Sequence, residues 1–333
     1  MNYGLIGEHL GHSYSKLIQE KLIDNYTYDI HEVARDELAT FMTEKDFKAI
    51  NVTIPYKRDV IPYLESMDDA AKKIGAVNTI VNKDGKLYGH NTDYYGFRYM
   101  VEKHFGTLEG KKVLVLGNGG ASKAIQAVVR DLNAKEMIVT DIILSEGVIA
   151  IDEVYAKHSD ATVIMNTSPC GMFPKVNTIA ADLSKFPVIE AVFDCVYNPM
   201  DTEFTLQAKA RGAIAVTGLE MLVGQAKRAL EFFKEIEIED SEIDRIYREI
   251  LLQTTNCVIY NEELAQEVAK MLDKEVIVLA EDYKEQCILS NKLLVAKKDM
   301  CKKELSRNSI IVDGQTAQEI VENFKAAILA FNN

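Results

Sequence analysis

Polar side chains that could bind a hydroxylated acid and exchange a proton recur in the first hundred residues, where predicted strands end. They are Ser13, Ser15, Thr53, Lys57, Asn78, Asn91 and Asp93. Ligand sites of α/β folds gather at such strand ends. Hydroxyl and amide groups could hold a polyhydroxylated acid, while the lysine and an aspartate could transfer a proton. Taken singly, each residue is more often a cap or turn residue.

Lys57 lies in the stretch NVTIPYKRDV, residues 51–60, which begins like a buried strand. Pro55 cannot donate to a sheet, so the strand should end there and present Tyr56 and Lys57 at its mouth. A solvated surface lysine is the ordinary alternative, because lysine is almost never buried without a partner.

A glycine-rich turn is the second feature with chemical meaning. Residues 111–116, KKVLVL, predict a strand, and GNGGAS follows at once, before a helix over 123–132 and a strand over 136–140. Gly117, Gly119 and Gly120 would let the backbone approach a pyrophosphate, whose charge the helix N-terminus stabilises. A tight turn alone would also use glycine. The order strand, turn, helix, strand favours a dinucleotide-binding unit.

Asp141 ends the second strand of this unit, 22 residues after Gly119. An acidic residue there can accept hydrogen bonds from the ribose hydroxyls of NAD, whereas the 2′-phosphate of NADP requires a nearby arginine. The next three residues are Ile142, Ile143 and Leu144. The sequence therefore favours NAD, with a cap or turn aspartate as the alternative.

The elements that must position these residues alternate along the chain. Before residue 90, strands are expected over 3–6, 28–33 and 49–54, and helices over 15–25, 34–43 and 67–74. This alternation indicates an α/β domain with a largely parallel sheet. Beyond the dinucleotide-binding unit, strands are expected over 162–165, 191–195 and 213–216. A helix from residue 219 to 233 has one apolar face and should pack back on the first domain.

The last part of the chain, residues 251–333, differs in composition from the rest. It lacks proline, and Gly314 is its only glycine. The pattern predicts a small α/β module, with strands over 257–260, 276–279 and 310–312 and helices over 262–272, from about 282, and over 316–330.

Composition narrows the function classes. The chain has 333 residues, enough for two or three domains, and a net charge of -13, which argues against nucleic acid or an anionic membrane as the main partner. Its five cysteines include no CxxC pair, so neither a disulfide framework nor a zinc site is expected. No signal peptide or apolar run of 18 residues is found, and we expect a soluble, cytoplasmic protein in a reducing compartment.

Eight segments are similar to those of the shikimate/quinate dehydrogenase family. They are GHSYS, NVTIPYK, GAVNT, GHNTDYYGF, VLGNGGASKA, NTSPCGM, FDCVYNP and GLEMLVGQA, in the family's order between residues 1 and about 250. The resemblance implies an α/β fold with an N-terminal substrate-binding domain over 1–98, completed by a helix over 219–250. A Rossmann-type cofactor domain over 99–218 would face it across a cleft, and residues 251–333 would be an added α/β extension.

The resemblance also implies site residues. Lys57 and Asp93 would be the catalytic pair that moves the proton when hydride passes between a nicotinamide cofactor and 3-dehydroshikimate. The substrate would be held by Ser13, Ser15, Thr53, Asn78, Tyr197 and Gln225. The cofactor, NAD in preference to NADP, would contact Gly117, Gly119, Gly120, Ala121, Ser122, Asp141 and Gly218. No metal is implied, the partner is a small molecule, and the chain would be a monomer or homodimer.

Two positions depart from the family pattern. Lys16 replaces a common proline after the second serine of GHSYS, and Asp141 begins DII where NADP-dependent members carry Asn-Arg-Thr or a similar triplet. The extension faintly resembles the start of a shikimate kinase but lacks the phosphate-binding pattern GxxxxGK[ST]. It is interpreted as a truncated fusion, or as an interaction or dimer-forming module.

Alternative functions stay open at this point. The substrate range could be broader and include quinate. A protein of the same fold could also bind pathway ligands without catalysis and use the extension to contact a partner. The presence of both Lys57 and Asp93 favours the enzyme, because a binding protein needs no proton-transfer pair.

Overall fold

The computed structural model describes residues 1–11, 13–259, 262–274, 276–278, 286–289, 292–295, 309–312 and 314–330. These residues form sheets of six, five, three and two strands. Among the described helices, none combines the length and apolar composition needed to cross a bilayer. The two larger sheets carry the residues for which chemistry was predicted.

The first sheet occupies the N-terminal ninety residues. Its strands are β1 (Tyr3–Gly7), β2 (Asp29–Glu32), β3 (Ala49–Val52), β4 (Ser66–Met67), β5 (Thr79–Lys83) and β6 (Lys86–His90). Its helices are α1 (Ser15–Leu22), α2 (Leu38–Glu44) and α3 (Asp69–Ile74). The spatial order is β2-β1-β3-β5-β6-β4, and β1 is parallel to both of its neighbours.

The antiparallel half of this sheet was not expected from the sequence. β5 pairs antiparallel with both β3 and β6. Asp84 and Gly85 connect the two strands with φ of 53° and 81°. Positive φ at both central residues is the geometry of a hairpin turn, and an Asp-Gly pair is its usual sequence signal. The prediction of a largely parallel sheet is therefore correct for the β1–β2, β1–β3 and β4–β6 pairs and wrong for the two pairs that involve β5.

The helix α4 (Asp93–His104) leads from the first sheet to the second. The second sheet contains β7 (Lys112–Leu116), β8 (Glu136–Thr140), β9 (Val163–Asn166), β10 (Ala191–Asp194) and β11 (Ile214–Val216). Its helices are α5 (Gly120–Asp131), α6 (Ile151–Lys157) and α7 (Glu203–Ala210). All strand pairs are parallel, in the order β11-β10-β9-β7-β8.

The apolar run of β7 shows why this sheet is visible in the sequence. Val113 and Val115 belong to the apolar core on one face of the sheet, and Leu114 and Leu116 belong to the core on the other. A parallel strand covered on both faces has no polar side, so its sequence is continuously hydrophobic. This architecture confirms the predicted α/β class with a Rossmann-type sheet.

Two helices, α8 (Leu219–Lys234) and α9 (Ser241–Thr254), follow the second sheet. The helix expected over 219–233 is confirmed as α8, whereas the single helix over 219–250 that the resemblance implied is wrong, because α8 and α9 are separate. Glu235 ends α8 in the left-handed conformation, with φ of 53°, and its N–H donates to the carbonyl of Glu231. Such C-terminal stops usually use glycine, so the glutamate itself does not indicate the stop, which was predicted only from the end of the apolar pattern at residue 233.

The helices α4 and α8 cross at two glycines. An ideal Cβ at Gly96 would lie 2.3 Å from the carbonyl oxygen of Met221, and one at Gly224 would lie 3.1 Å from the Cα of Gly96. The two backbones can approach this closely only because neither position carries a side chain. The crossing joins the helix that leaves the first sheet to the helix that returns to it.

The extension continues the chain with α10 (Ala265–Leu272) and α11 (Ala317–Leu329) and with strands β12 (Asn256–Ile259), β13 (Val276–Val278), β14 (Gln286–Leu289), β15 (Lys292–Val295) and β16 (Ser309–Ile311). Three of these strands correspond to the predicted ones, and they form a parallel sheet with the order β13-β12-β16. The helix predicted from about 282 is wrong where the chain is described, because β14 and β15 pair antiparallel there. Residues 279–285 lie outside the described residues.

The core of the extension is continuous with that of the first sheet. Leu5 of β1, Ile250 of α9, Cys257 of β12 and Phe324 of α11 belong to one cluster of buried apolar side chains. The extension is thus packed on the rest of the molecule through shared apolar surface, which contributes roughly 25 cal/mol per Å² buried.

We expect replacement of Gly96 by alanine to destabilise the fold, because the new Cβ would meet the Met221 carbonyl oxygen. Overpacking of this kind costs about 1–3 kcal/mol. Urea unfolding followed by circular dichroism should show a lower midpoint. Gly11→Ala is the control, since a Cβ there has no neighbour within 4 Å; equal midpoints for the two variants would contradict the expected crowding.

Candidate active site

A lysine and an aspartate from different elements form an ion pair between the sheets. Lys57 follows β3, and its Nζ donates to Oδ2 of Asp93, the first residue of α4, at 2.6 Å. The two side chains are only 14% and 10% exposed. A carboxylate in the first turn of a helix is stabilised by the helix dipole. The structure thus brings together the two residues predicted to transfer a proton.

Tyr56 does not share this position, contrary to the expectation that it would stand beside Lys57 at the strand mouth. Its side chain is buried in the core of the first sheet. Its hydroxyl donates to the carbonyl of Val33 at 2.6 Å. Tyr56 therefore anchors the turn that carries Lys57. Of the two neighbouring residues, Lys57 is the one whose side chain reaches Asp93.

Asn78 supports the start of α4. Its amide oxygen accepts from the main-chain N–H of Thr92 at 2.7 Å, and its amide nitrogen donates to the Thr92 hydroxyl at 3.1 Å. The same hydroxyl lies 3.4 Å from Oε1 of Gln225 on α8. The predicted residues Asn78 and Gln225 thus meet at Thr92, which the sequence analysis missed. Thr92 directly precedes Asp93 in GHNTD, and this adjacency was the available signal.

The neighbouring Asn91 has a mainly structural contact. Its amide nitrogen donates to the carbonyl of Ala76 at 2.9 Å. This bond ties the end of β6 to the turn before β5. It holds the segment that leads into Asp93 without placing Asn91 against Lys57.

The two serines of GHSYS lie together at the start of α1. The Ser13 hydroxyl donates to the Ser15 hydroxyl at 3.0 Å, and the Ser15 N–H donates to the Ser13 hydroxyl at 3.2 Å. Lys16, which replaces a common proline, points elsewhere and donates to the Tyr28 carbonyl at 2.7 Å. The substitution therefore leaves the two hydroxyls adjacent. Thr53 is half-buried after β3, and its N–H donates to the Ile6 carbonyl at 2.9 Å.

Two tyrosines, one beside α1 and one after β10, are in contact with each other. The rings of Tyr14, beside α1, and Tyr197, after β10, have centroids 5.4 Å apart. Burial raises the pKa of Tyr14 and raises that of Tyr197 to about 12. Both phenols are therefore neutral near pH 7 and can donate hydrogen bonds.

The glycine turn lies beside Lys57. An ideal Cβ at Gly120 would be 3.8 Å from Cδ of Lys57, and one at Gly119 would meet nothing within 4 Å. Gly117 has φ of 99°, and a Cβ there would be 2.8 Å from Oγ1 of Thr167. The turn therefore needs glycine at 117 and presents bare backbone toward the lysine, as a pyrophosphate-binding turn requires.

The first turn of α5 stabilises this geometry. The buried Ser122 hydroxyl donates to the Gly117 carbonyl at 2.6 Å. Ala121 is half-buried and packs against the apolar core of the second sheet. Ser122 and Ala121 would therefore meet a cofactor through their main-chain groups, because the Ser122 hydroxyl already donates to Gly117.

Asp141 binds the glycine turn through its carboxylate. Oδ2 accepts from the N–H of Asn118 at 2.6 Å, and Oδ1 accepts from the N–H of Ile143 at 3.0 Å. Ile142 and Leu144 are exposed, with 97% and 61% of their surface accessible. The acid thus stands at the end of β8, where a ribose would lie in this fold.

A group of cations near the turn was missed by the sequence analysis. Lys123 donates to the Asn118 side chain at 2.6 Å. Burial lowers its pKa, and the positive charges of Arg58 and Arg130 lower it further. Lys123 and Arg130 both lie on α5, whereas Arg58 lies in the turn after Lys57, so no local motif predicts the whole group.

Gly218 permits a close contact between two loops of the second sheet. An ideal Cβ there would lie 2.2 Å from the carbonyl oxygen of Cys195, and its N–H donates to the Val196 carbonyl at 3.0 Å. The start of α8 is therefore held against the end of β10. Gly218 lies on the same edge of the sheet as the glycine turn, because both follow parallel strands.

A parallel sheet whose glycine turn faces a buried lysine–aspartate pair defines a Rossmann-type dehydrogenase as the class of protein. Residues 5–80 match the family model described as the shikimate dehydrogenase substrate binding domain. The shikimate dehydrogenase (NADP(+)) of Clostridium perfringens is 38% identical over 271 residues, which cover 74% of this chain and 97% of the relative. The chain belongs to the shikimate dehydrogenase family.

Solved structures agree with this assignment. The crystal structure of a chorismate mutase/shikimate 5-dehydrogenase fusion protein from Clostridium acetobutylicum has a TM-score of 0.70 and 36% identity, and the match covers 75% of this chain and 97% of that chain. Quinate dehydrogenase from Corynebacterium glutamicum in complex with NAD has a TM-score of 0.66 and 25% identity, over 75% of this chain and 99% of that chain. About a quarter of this chain has no counterpart in either structure.

We expect Asn78→Ala to lower kcat/KM, measured with shikimate and NAD, because Thr92 would lose the partner that fixes the start of α4. An unpaired buried group costs about 1–3 kcal/mol, so the loss should be roughly ten- to hundredfold. Asn82→Ala is the matched control, since its amide also anchors a loop, by donating to the carbonyls of Lys45 and Phe47. A similar loss in both variants would contradict a specific role for Asn78.

Proposed function

We propose that the protein is a shikimate dehydrogenase that reversibly reduces 3-dehydroshikimate to shikimate with a nicotinamide cofactor. The observation that carries this proposal is the buried Lys57–Asp93 ion pair, with Gly120 of the cofactor turn beside Lys57. Acid–base catalysis requires a proton-transfer pair of this kind, whereas a protein that only binds its ligand does not need one. The family membership supplies the substrate class.

The proposed domains follow the two larger sheets. The substrate-binding domain would span 1–98 and include the helices between 219 and 250, and the cofactor domain would span 99–218. Residues 251–333 would form the extension. This division is supported by the position of α8 and α9, whose apolar faces belong to the same core cluster as β1 and α1.

Proton transfer would be the task of Lys57. The bound cofactor supplies the hydride for the C3 carbonyl carbon. In this direction, protonated Lys57 donates a proton to the C3 oxygen and stabilises its developing negative charge. In the oxidation of shikimate, neutral Lys57 accepts the proton of the C3 hydroxyl. Asp93 orients the amine through the 2.6 Å hydrogen bond.

The substrate would lie between the groups that surround this pair. Ser13 and Ser15 are proposed to bind its carboxylate, because two adjacent hydroxyls at the start of α1 can donate to an anion. The neutral phenol of Tyr197 is proposed to help hold the ring and its hydroxyls. Thr53, Asn78 and Gln225 are proposed to contact the ring hydroxyls. Asn78 and Gln225 would do so while keeping their contacts with Thr92.

NAD is the proposed cofactor, although the Clostridium perfringens relative is named for NADP(+). The pyrophosphate would be held by the backbone of Gly117, Gly119, Gly120, Ala121 and Ser122, with Gly218 beside the nicotinamide. A 2′-phosphate would face the negative charge of Asp141, whereas ribose hydroxyls can donate to it. Lys123 and Arg58 would add positive charge near the pyrophosphate.

A dehydrogenase that accepts quinate as well as shikimate is the second candidate. Its support is the similarity to the quinate dehydrogenase of Corynebacterium glutamicum, whose structure contains NAD. Parallel assays with both substrates distinguish the two candidates, because a kcat/KM for quinate within tenfold of that for shikimate would favour the broader range.

We expect Lys57→Ala to lower kcat for shikimate oxidation by about 10²- to 10⁴-fold, the usual contribution of a positioned acid–base group. Absorbance of the reduced nicotinamide measures turnover, and calorimetry should show that shikimate still binds. Lys86→Ala, which removes an exposed lysine paired with Glu65, is the control. Wild-type protein that binds shikimate but turns over with neither cofactor would contradict the enzyme and favour a ligand sensor.

We expect wild-type kcat/KM to be higher with NAD than with NADP, and Asp141→Asn to narrow this preference roughly ten- to hundredfold. The reason is the loss of a charged hydrogen-bond acceptor for the ribose, together with relief of repulsion of a 2′-phosphate. Asp152→Asn, at an exposed position in the first turn of α6, is the control. A wild-type preference for NADP would overturn the assignment of NAD.

A further inference from the structure

The segment from residue 195 to 202, which carries Tyr197, is anchored at both ends by Asp194. The two oxygens of this buried carboxylate accept from the N–H of Val196 at 3.0 Å and from the hydroxyl of Thr202 at 2.7 Å. Thr202 also caps α7 by accepting from the N–H of Thr205. These anchors belong to the second sheet, and a loop of the same sheet also holds Asn198, whose carbonyl accepts from the N–H of Phe173 at 3.0 Å. Residues 199–201 are positioned by other contacts.

The middle of the segment is anchored by the junction with the extension. Met200 is 6% exposed and belongs to the core cluster shared by α8, α9 and the extension. The fully buried hydroxyl of Thr255 donates to its sulfur. Thr255 lies between α9 and β12, so a loop of the second sheet is inserted into a core formed by other parts of the molecule.

A lysine of the extension fixes Thr255. Lys274, after α10, donates from Nζ to the carbonyls of Leu252 and Gln253, at 2.8 and 3.2 Å, and to the carbonyl of Thr255. The last carbonyls of a helix have no partner within the helix, and a cation there also meets the negative end of the helix dipole. Lys274 therefore closes the end of α9 and holds Thr255 in place.

We propose that the extension is a positioning element of the substrate site, acting from Lys274 through Thr255 and Met200 on the segment that carries Tyr197. The inference rests on the proposed function, because it takes Tyr197 as a substrate-binding residue. The Tyr197 ring packs against Tyr14 across the two sheets. A shift of Met200 would move the phenol relative to the substrate while leaving Lys57 and Asp93 in place.

The test compares Thr255→Val with Thr254→Val in the full chain. Both remove a threonine hydroxyl at the end of α9, but that of Thr254 donates to the Ile250 carbonyl within the helix. KM and calorimetric Kd for shikimate should rise roughly three- to tenfold in Thr255→Val, the range for one lost hydrogen bond. Both values should be unchanged in Thr254→Val, and kcat and the KM for NAD should stay within about twofold in both.

Two further variants test the proposal independently. Lys274→Met changes a residue of the extension, and Met200→Leu removes the sulfur acceptor while keeping the packed volume. Each should raise KM and Kd for shikimate as Thr255→Val does. The proposal is overturned by values equal to those of Thr254→Val, or by a loss of folded protein without a change in KM. Wild-type protein that binds shikimate without turnover would refute the proposed enzyme alone, because Kd still tests the extension; absence of binding would refute both.

Discussion

The close crossing of α4 and α8 is the constraint on which the site depends. Because Gly96 and Gly224 bring the two backbones into contact, the beginning of α4 has one position relative to α8. Thr92, the residue before Asp93, therefore stands opposite Gln225, and Asn78 fixes the same point from the first sheet. A side chain at either glycine would separate the helices and move the carboxylate away from Lys57.

The Lys57–Asp93 pair is costly to bury, which makes its place in the fold informative. Removing two charges from water costs several kcal/mol for each ion, and their attraction offsets this only with good geometry and added hydrogen bonds. Such a pair is thus a weak source of stability. The pair lies beside the glycine turn, where a cofactor and a hydroxylated acid would meet. A role in chemistry there explains the presence of the pair better than a contribution to folding does.

The extension is part of the molecular core and not a module on a linker. Its apolar side chains share one cluster with α1, α8 and α9, and Lys274 caps α9 directly. The phosphate-binding pattern of a kinase is absent from its sequence. The extension nevertheless contacts the loop that carries Tyr197, because that loop enters the same core through Met200.

Local sequence patterns were sufficient to predict much of the fold of this protein. The continuous apolar run of β7, the glycine turn and the extent of β8 follow from short-range periodicity and backbone sterics, and the motifs predicted the Lys57–Asp93 pair that the structure brings together. The burial of Tyr56 depends on residues that are distant in sequence, since its hydroxyl donates to the carbonyl of Val33. Contacts such as Thr92 with Gln225 and Met200 with Thr255 join residues 133 and 55 positions apart. Only tertiary structure decides them, because packing energy depends on which surfaces meet after the chain has folded.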